Sequence, residues 1–573
     1  MSNIKSLQQF NNLVGIKFQL YNSLFTSLPF HTIEKTGILV SMLLLACEEG
    51  YEQAFSPQQI IDTFFIKQTN YTKDEEKLDL LFRFVQYIER QIVLFDALED
   101  AAFKEVNDMD GAGSLKQLSL SIEEQKKDAA LHHKLKDFKV KLVLTAHPTQ
   151  FYPDNVLGII NDLAKAIAKN NEKHIYSYLQ QLGRTPFFNK YKPSPYDEAI
   201  SLVWYLENVF YEAAGNIISE LKASQPNSIS ANNSIINMGF WPGGDRDGNP
   251  FVTTAITVKV ANALRAAIIK CYYNDVVKMK RRLTFKNIYT SLAILEEKLY
   301  KNIDAPQQTL DFSKDELLQT LDNIKLQLIQ QHDSMFVYLI DDLMNKVEIF
   351  GLYFASLDIR QESTLHTKVI DSLNNQYQFL PLDYNNRMEA DKMQALFSIK
   401  PLAVTETIED AFSKETIESF SAIREIQKSN GEMGCHRYII SMCKTSLNVV
   451  EVWALFALAG WDTNNMSVDI VPLFETITDL QNAIEVMKQL YENPYYQKHL
   501  QQRGNTQTVM LGFSDGTKDG GYLMANWGIY KAKEQLTALS KQYQIEIVFF
   551  DGRGGPPARG GGKTHKFYAS LGN

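Results

Sequence analysis

The chain has 573 residues, 45% of them hydrophobic, which is ample material for a large buried core. Its net charge of −9 and a sequence pI near 5.7 exclude a broad basic nucleic-acid interface. Four cysteines (Cys47, Cys271, Cys435, Cys443) form no CxxC pair, which excludes a zinc ribbon or disulfide scaffold and fits a reducing cytoplasm.

The opening "MSNIKSLQQFNNL" lacks the basic-then-apolar pattern of a secretory leader. Residues 1–135 are expected to form an N-terminal helical region, because apolar positions recur three and four apart, as in "KLDLLFRFVQYIERQIVLFDAL". The apolar run "ILVSMLLLAC" (38–47) is too short to span a bilayer, is followed by Glu48 and Glu49, and reads as a buried helix. No membrane partner is therefore expected. Helical patterns rich in Lys, Glu and Gln continue over 155–225, 255–350 and 365–430, and the basic run "KMKRRL" (278–283) reads as a solvated helix face.

Short apolar runs between these helices read as buried strands. They are "VKLVLTA" (140–146), "SIINMGFW" (234–241), "LYFASLDI" (352–359), "RYIISMC" (437–443), "VDIVPLFE" (468–475), "TVMLGFSD" (508–515) and "IEIVFFD" (545–551). Most lead into a residue suited to chemistry: His147, Asp245, Arg360, Glu475, Asp515 and Arg553. Strands alternating with helices, with reactive groups at one end of each strand, predict a (β/α)8 TIM-type barrel with its site at the C-terminal face. The expected class is thus α/β, predominantly helical through its insertions, with seven of the eight strands present and a catalytic domain over 136–573.

His147 stands before Pro148, which biases it toward extended geometry, so its imidazole either serves proton transfer or is a hydrogen-bonded core group. "WPGGDRDGNPFVTT" (241–254) packs Trp241, Asp245 and Arg246 among glycines, as either a salt-bridged turn or the lining of a polar site. Glu475 and Asp515, ending adjacent strands, could hold one hard cation, Mg2+ or Mn2+. Lys518 follows in a Gly-rich turn opening a helix, suited to an anion but without the GxxxxGK[ST] pattern of nucleotide binding. "GRGGPPARGGG" sets Arg553 and Arg559 in a loop of glycine and proline, either a flexible turn or a clamp for a small anion.

"LVLTAHPTQ", "GGDRDGNP", "LDIRQES", "VPLFET", "SDGTKDGG" and "GRGGPPARGGG" occur in the order and spacing of phosphoenolpyruvate carboxylase, and "KPSPYDEA" (192–199) adds a weaker match. The resemblance runs from about residue 140 to the end. It implies carboxylation of phosphoenolpyruvate with bicarbonate to oxaloacetate and phosphate, with Mg2+ or Mn2+. By the same resemblance His147, Lys518 and Arg559 are catalytic, Arg360 and Arg553 hold the substrate phosphate, and Glu475 and Asp515 bind the metal. Inhibition by aspartate or malate, a homotetramer and a cytoplasmic setting are further implications.

There are departures. Asp551 stands where the family has histidine, Pro242 replaces a methionine, and Gly516 replaces a serine. "QFYPDNV" follows where the family has an arginine pair. The family's chain also continues into an eighth strand with more arginines, so residues 1–573 alone are expected to make no oxaloacetate. Two other readings are a different metal-dependent barrel enzyme acting on a phosphorylated enol, and a non-catalytic sensor of phosphoenolpyruvate or aspartate.

Overall fold

The computed structural model describes residues 7–27, 36–145, 154–187, 193–224, 229, 235–303, 311–401 and 407–552. The chain divides into two compact units, Met1–Gln117 with His147–Lys192, and Leu118–Ala146 with Pro193–Asn573. Among the described residues no helix is long and apolar enough to cross a membrane.

The first unit is helical. Its helices include α1 (Thr36–Glu52), α2 (Pro57–Gln68), α3 (Asp74–Val106), α4 (Asp154–Ala168) and α5 (Glu172–Arg184). The three-and-four apolar spacing holds in α3 to α5, whereas α1, expected to be buried, is apolar on all sides and leaves Ile38, Leu44 and Leu45 58–60% exposed. Ser56 starts α2 with a reciprocal capping box: its hydroxyl accepts from Gln59 N, and Gln59 Oε1 accepts from Ser56 N at 2.8 Å. Phe64 and Phe65 of α2 pack on Leu80 and Phe84 of α3. Further along α3, Val93, Leu94, Ala97 and Leu98 join a core with Ile159 and Leu163 of α4 and Ile175 and Leu179 of α5. Arg90 is buried among them because each of its nitrogens finds an acceptor. Nε donates to Leu182 O at 3.2 Å, NH1 to Gln86 O at 2.7 Å and NH2 to Thr185 O at 2.8 Å. Two of those carbonyls belong to the C-terminal end of α5, which has no further helical turn to satisfy them.

The second unit holds seven parallel strands: β1 (Val140–Leu144), β2 (Ile236–Phe240), β3 (Ser356–Glu362), β4 (Arg437–Ser441), β5 (Asp469–Phe474), β6 (Thr506–Gly512) and β7 (Glu546–Gly552). Each pairs with its neighbour in sequence, in the order β1-β2-β3-β4-β5-β6-β7. Among the helices between them are α6 (Thr254–Lys280) after β2, α7 (Ser363–Tyr377) and α8 (Ala411–Asn430) after β3, and α9 (Ser446–Leu458) after β4. The series ends with α10 (Ile477–Glu492) after β5 and α11 (Ser514–Gln542) after β6. Helices covering a parallel sheet bury both faces of its strands, and all five residues of β4 are buried. β1 and β7, the outer members of the order, remain partly open, with Leu142 44% and Val548 42% exposed.

The sheet is curled. In a flat sheet β2 and β7 would lie five spacings, about 24 Å, apart. Yet the Trp241 ring, directly after β2, meets Phe550 of β7 with centroids 6.1 Å apart. Arg437 of β4 also lies over Phe550, at 5.0 Å. Ile439, Val471, Leu473 and Met510 complete this interior cluster. The expected parallel, sequential strands of an elaborated α/β barrel are therefore present.

The strand bounds differ from the expected ones by up to four residues, and three of the shifts have a visible cause. β3 begins only at Ser356, because Gly351 (φ 51°) and Phe354 (φ 61°) turn the chain before it. β4 stops at Ser441, ahead of Met442 at φ 51°. β6 ends at Gly512, and Ser514 already opens α11, so Asp515 belongs to the helix rather than the strand.

Candidate active site

The loop after β2 is held against β3 by backbone. Arg246 N donates to Arg360 O at 2.9 Å, and Arg360 N donates to Gly244 O at 3.1 Å, which extends the β2–β3 ladder past its regular end. That close approach requires glycine at 244: a Cβ there would lie 2.2 Å from the Asp358 carbonyl oxygen. Arg360 lies within β3, not past its end as its place in the sequence suggested. Its Nε donates to Asp245 Oδ1 at 2.8 Å, its NH2 stands 3.4 Å from Asp247 Oδ2, and its guanidinium lies 4.9 Å from the Trp241 ring. Burial works against the arginine's charge, but Asp245, Asp247 and Glu475 more than offset it and raise its pKa. Burial raises the pKa of Asp245, with Arg360 pulling the other way.

Arg246 is engaged elsewhere. Its NH2 donates to Thr254 Oγ1 at 3.0 Å and to Glu415 Oε1 at 2.8 Å, tying the loop to α6 and α8. Glu415 also accepts from the Thr254 hydroxyl at 2.7 Å.

Glu475, one residue past β5, is 8% exposed and accepts from Met442 N at 2.8 Å. Its pKa is pushed up to about 7, first by burial, then by the negative charges of Asp515 and Asp247; the Met442 amide and Arg360 oppose this. Gly512 lets β6 lie against this residue, since a Cβ there would stand 3.0 Å from Glu475 Cα and 3.1 Å from its Cγ. The two predicted carboxylates are thus gathered at one end of adjacent strands, with Asp515 in the first turn of α11. Lys518 is a surface residue whose Nζ donates to Asp515 Oδ1 at 2.9 Å, a bond that raises its pKa. The segment around it is helical rather than a turn, and the interruption falls later, at Gly521 (φ 79°). His147, Arg553 and Arg559 lie outside the described residues.

Glu475 and Asp515 offer only hard oxygen donors. Among the described residues no group of three or more His, Cys, Asp or Glu side chains is placed to hold a metal. A pair of carboxylates suits Mg2+ or Mn2+, which take the remaining ligands from water and substrate oxygens.

A buried polar group beneath the arginine escaped sequence reasoning. Asp358, fully buried in β3, accepts from Arg437 Nε at 3.0 Å, Arg437 NH2 at 2.7 Å and Trp241 Nε1 at 3.1 Å. Lys141 Nζ lies 3.7 Å from it. Burial lowers the Lys141 pKa to about 7 despite that carboxylate. The available signal was polar residues at every second position of "SLDIRQE", which a strand places on one face.

A curled parallel sheet with charged side chains gathered at the C-terminal ends of its strands defines an α/β-barrel type of enzyme site. A family model described as phosphoenolpyruvate carboxylase matches residues 78–310 and 287–570. The chain belongs to the phosphoenolpyruvate carboxylase family. Among curated proteins of that name, the one from Gloeobacter violaceus is 27% identical over 503 residues, 75% of this chain and 54% of its own length. That of a Synechococcus strain is 28% identical over 509 residues (74% and 48%), and that of Prochlorococcus marinus subsp. pastoris 29% over 534 (76% and 53%). The chain spans about half the length of the curated relatives it matches.

Proposed function

We propose that this chain carries the substrate-binding and catalytic core of an enzyme that carboxylates phosphoenolpyruvate with bicarbonate, giving oxaloacetate and inorganic phosphate. The observation that carries the reading is Arg360, braced by Asp245, Asp247 and Trp241 at the end of the strands where Glu475 and Asp515 meet. A fixed guanidinium opposite paired carboxylates is what a phosphorylated, metal-chelating substrate requires.

Glu475 and Asp515 would hold Mg2+ or Mn2+, which when bound supplies positive charge where the enol oxygen and phosphoryl group become more negative. Arg360, with Arg553, binds the phosphate and stabilises that charge as bicarbonate attacks phosphorus. Carboxyphosphate and the pyruvate enolate result. His147 moves the proton as carboxyphosphate breaks down to carbon dioxide and phosphate, and the enolate then attacks the carbon dioxide. Lys518 and Arg559 hold the bicarbonate-derived group. In the complete (β/α)8 barrel an eighth strand would lie between β7 and β1.

Phosphate release from phosphoenolpyruvate by the purified protein carrying these residues tests the reading. Release that needs both bicarbonate and a divalent metal supports it. Release indifferent to bicarbonate points instead to another enzyme of phosphorylated enols, and phosphoenolpyruvate binding without release to a sensor.

A further inference from the structure

The Asp358 cluster is an expensive thing to bury. A charged group inside a protein costs several kcal/mol unless every partner is in place, and an apolar plug would fill the same interior at less cost. Its location suggests what it does. Asp358 and Arg360 are two apart on β3 and so lie on one face, the aspartate one pleat deeper than the arginine. Trp241 bridges them: its Nε1 donates down to Asp358 Oδ2 at 3.1 Å, while its ring lies 4.9 Å from the Arg360 guanidinium. Phe550 packs edge-on against the same indole, 6.1 Å between centroids. Arg437, bidentate on Asp358, prevents the carboxylate from turning away.

We infer that Asp358 is a positioning residue of the anion site, fixing the Trp241 indole as the platform on which the Arg360 guanidinium rests. Asp245 and Asp247 fix the arginine along its edge; the indole fixes its plane. A phosphate arriving at the mouth of the sheet then meets a guanidinium already oriented, with little ordering left to do. This rests on the phosphoenolpyruvate reading above only for the identity of the anion.

The test uses the 573-residue protein with 5-fluorotryptophan at its five tryptophans, followed by fluorine NMR, the Trp241 signal being assigned with Trp241→Phe. Without any ligand, Asp358→Asn should move the Trp241 resonance and leave the other four in place. An unmoved Trp241 resonance overturns the inference. Phosphoenolpyruvate and inorganic phosphate are then titrated into the wild type, Asp358→Asn, Trp241→Phe and the double variant. Each single change should weaken anion binding about tenfold, and the double no more than either single, because both break one linkage. Multiplying losses, about a hundredfold in the double, would mean that Asp358 acts by some other route and would overturn the inference. Should Asp358→Asn fail to fold, Asp358→Asn with Arg437→Gln removes the stranded arginine and serves in its place. A wild type that binds neither anion sinks the substrate reading, while the ligand-free resonance still decides the role of Asp358.

Discussion

Replacing Glu451 by glutamine should stabilise the second unit at alkaline pH and leave it nearly unchanged at acid pH. Glu451 sits on α9 and is 2% exposed. Thr367 Oγ1 lies 3.0 and 2.9 Å from its two carboxyl oxygens, and Asn448 Nδ2 lies 3.4 Å from Oε2. Burial is the main cause that pushes its pKa from 4.5 up to about 7; Thr367 and Asn448 resist, and Asp371 and Glu389 add to the rise. A raised carboxyl pKa means that the native state keeps a proton the unfolded chain gives up. The associated stability is fully present below pH 4.5 and is lost as pH rises through about 7. At about 1.4 kcal/mol per pH unit, the gap sets a ceiling of about 3 kcal/mol on the cost of the ionised form at pH 8 and above. Glutamine keeps the shape and the acceptor for Thr367 but never ionises. Urea unfolding between pH 5 and 8.5, followed by hydrogen exchange of α9 peptides, should show the variant gaining on the wild type as pH rises. A difference that stays constant across that range would refute the reasoning.

Three further outcomes are expected. Gly244→Ala should lower the melting temperature and abolish phosphoenolpyruvate binding, because the new Cβ meets backbone 2.2 Å away rather than a movable side chain; an unchanged melting temperature would contradict so close an approach of the loop to β3. Glu475→Gln and Asp515→Asn should each weaken Mn2+ binding, read by electron paramagnetic resonance, at least about tenfold, and unaltered binding would remove them as ligands. Where the protein turns over, His147→Asn should release pyruvate while making little oxaloacetate, and Lys518→Ala should raise the bicarbonate requirement. Normal oxaloacetate synthesis or an unchanged bicarbonate dependence would exclude the respective role.

The strands were legible because a parallel strand covered on both faces must be apolar almost throughout, as in "RYIISMC" and "VDIVPLFE". Glu475 was legible at the end of β5 for the same reason, since its charge interrupts an apolar run. What failed was anything decided by a distant partner. Arg246 was read as either part of a salt-bridged turn or the lining of a polar site, and its partner Glu415, 169 residues away, could not be named from the local sequence. Asp358 and Arg437 are 79 residues apart, and no local pattern pairs them. The run "LYFASLDI" hides a turn at its start, because buried turn residues are as apolar as buried strand residues.

The sequential strand order also bears on how the molecule is made. Each strand docks on the one synthesised just before it, so the sheet can lengthen at one edge while the chain is still emerging. The interior does not mature on that schedule. Trp241 and Arg437 both lean on Phe550, which enters only with β7, the last described strand. Until β7 is in place, Trp241 and Arg437, two groups beneath the proposed anion site, lack their common neighbour. The sheet can therefore assemble strand by strand, whereas the contacts of Trp241 and Arg437 with Phe550 can form only once β7 is present.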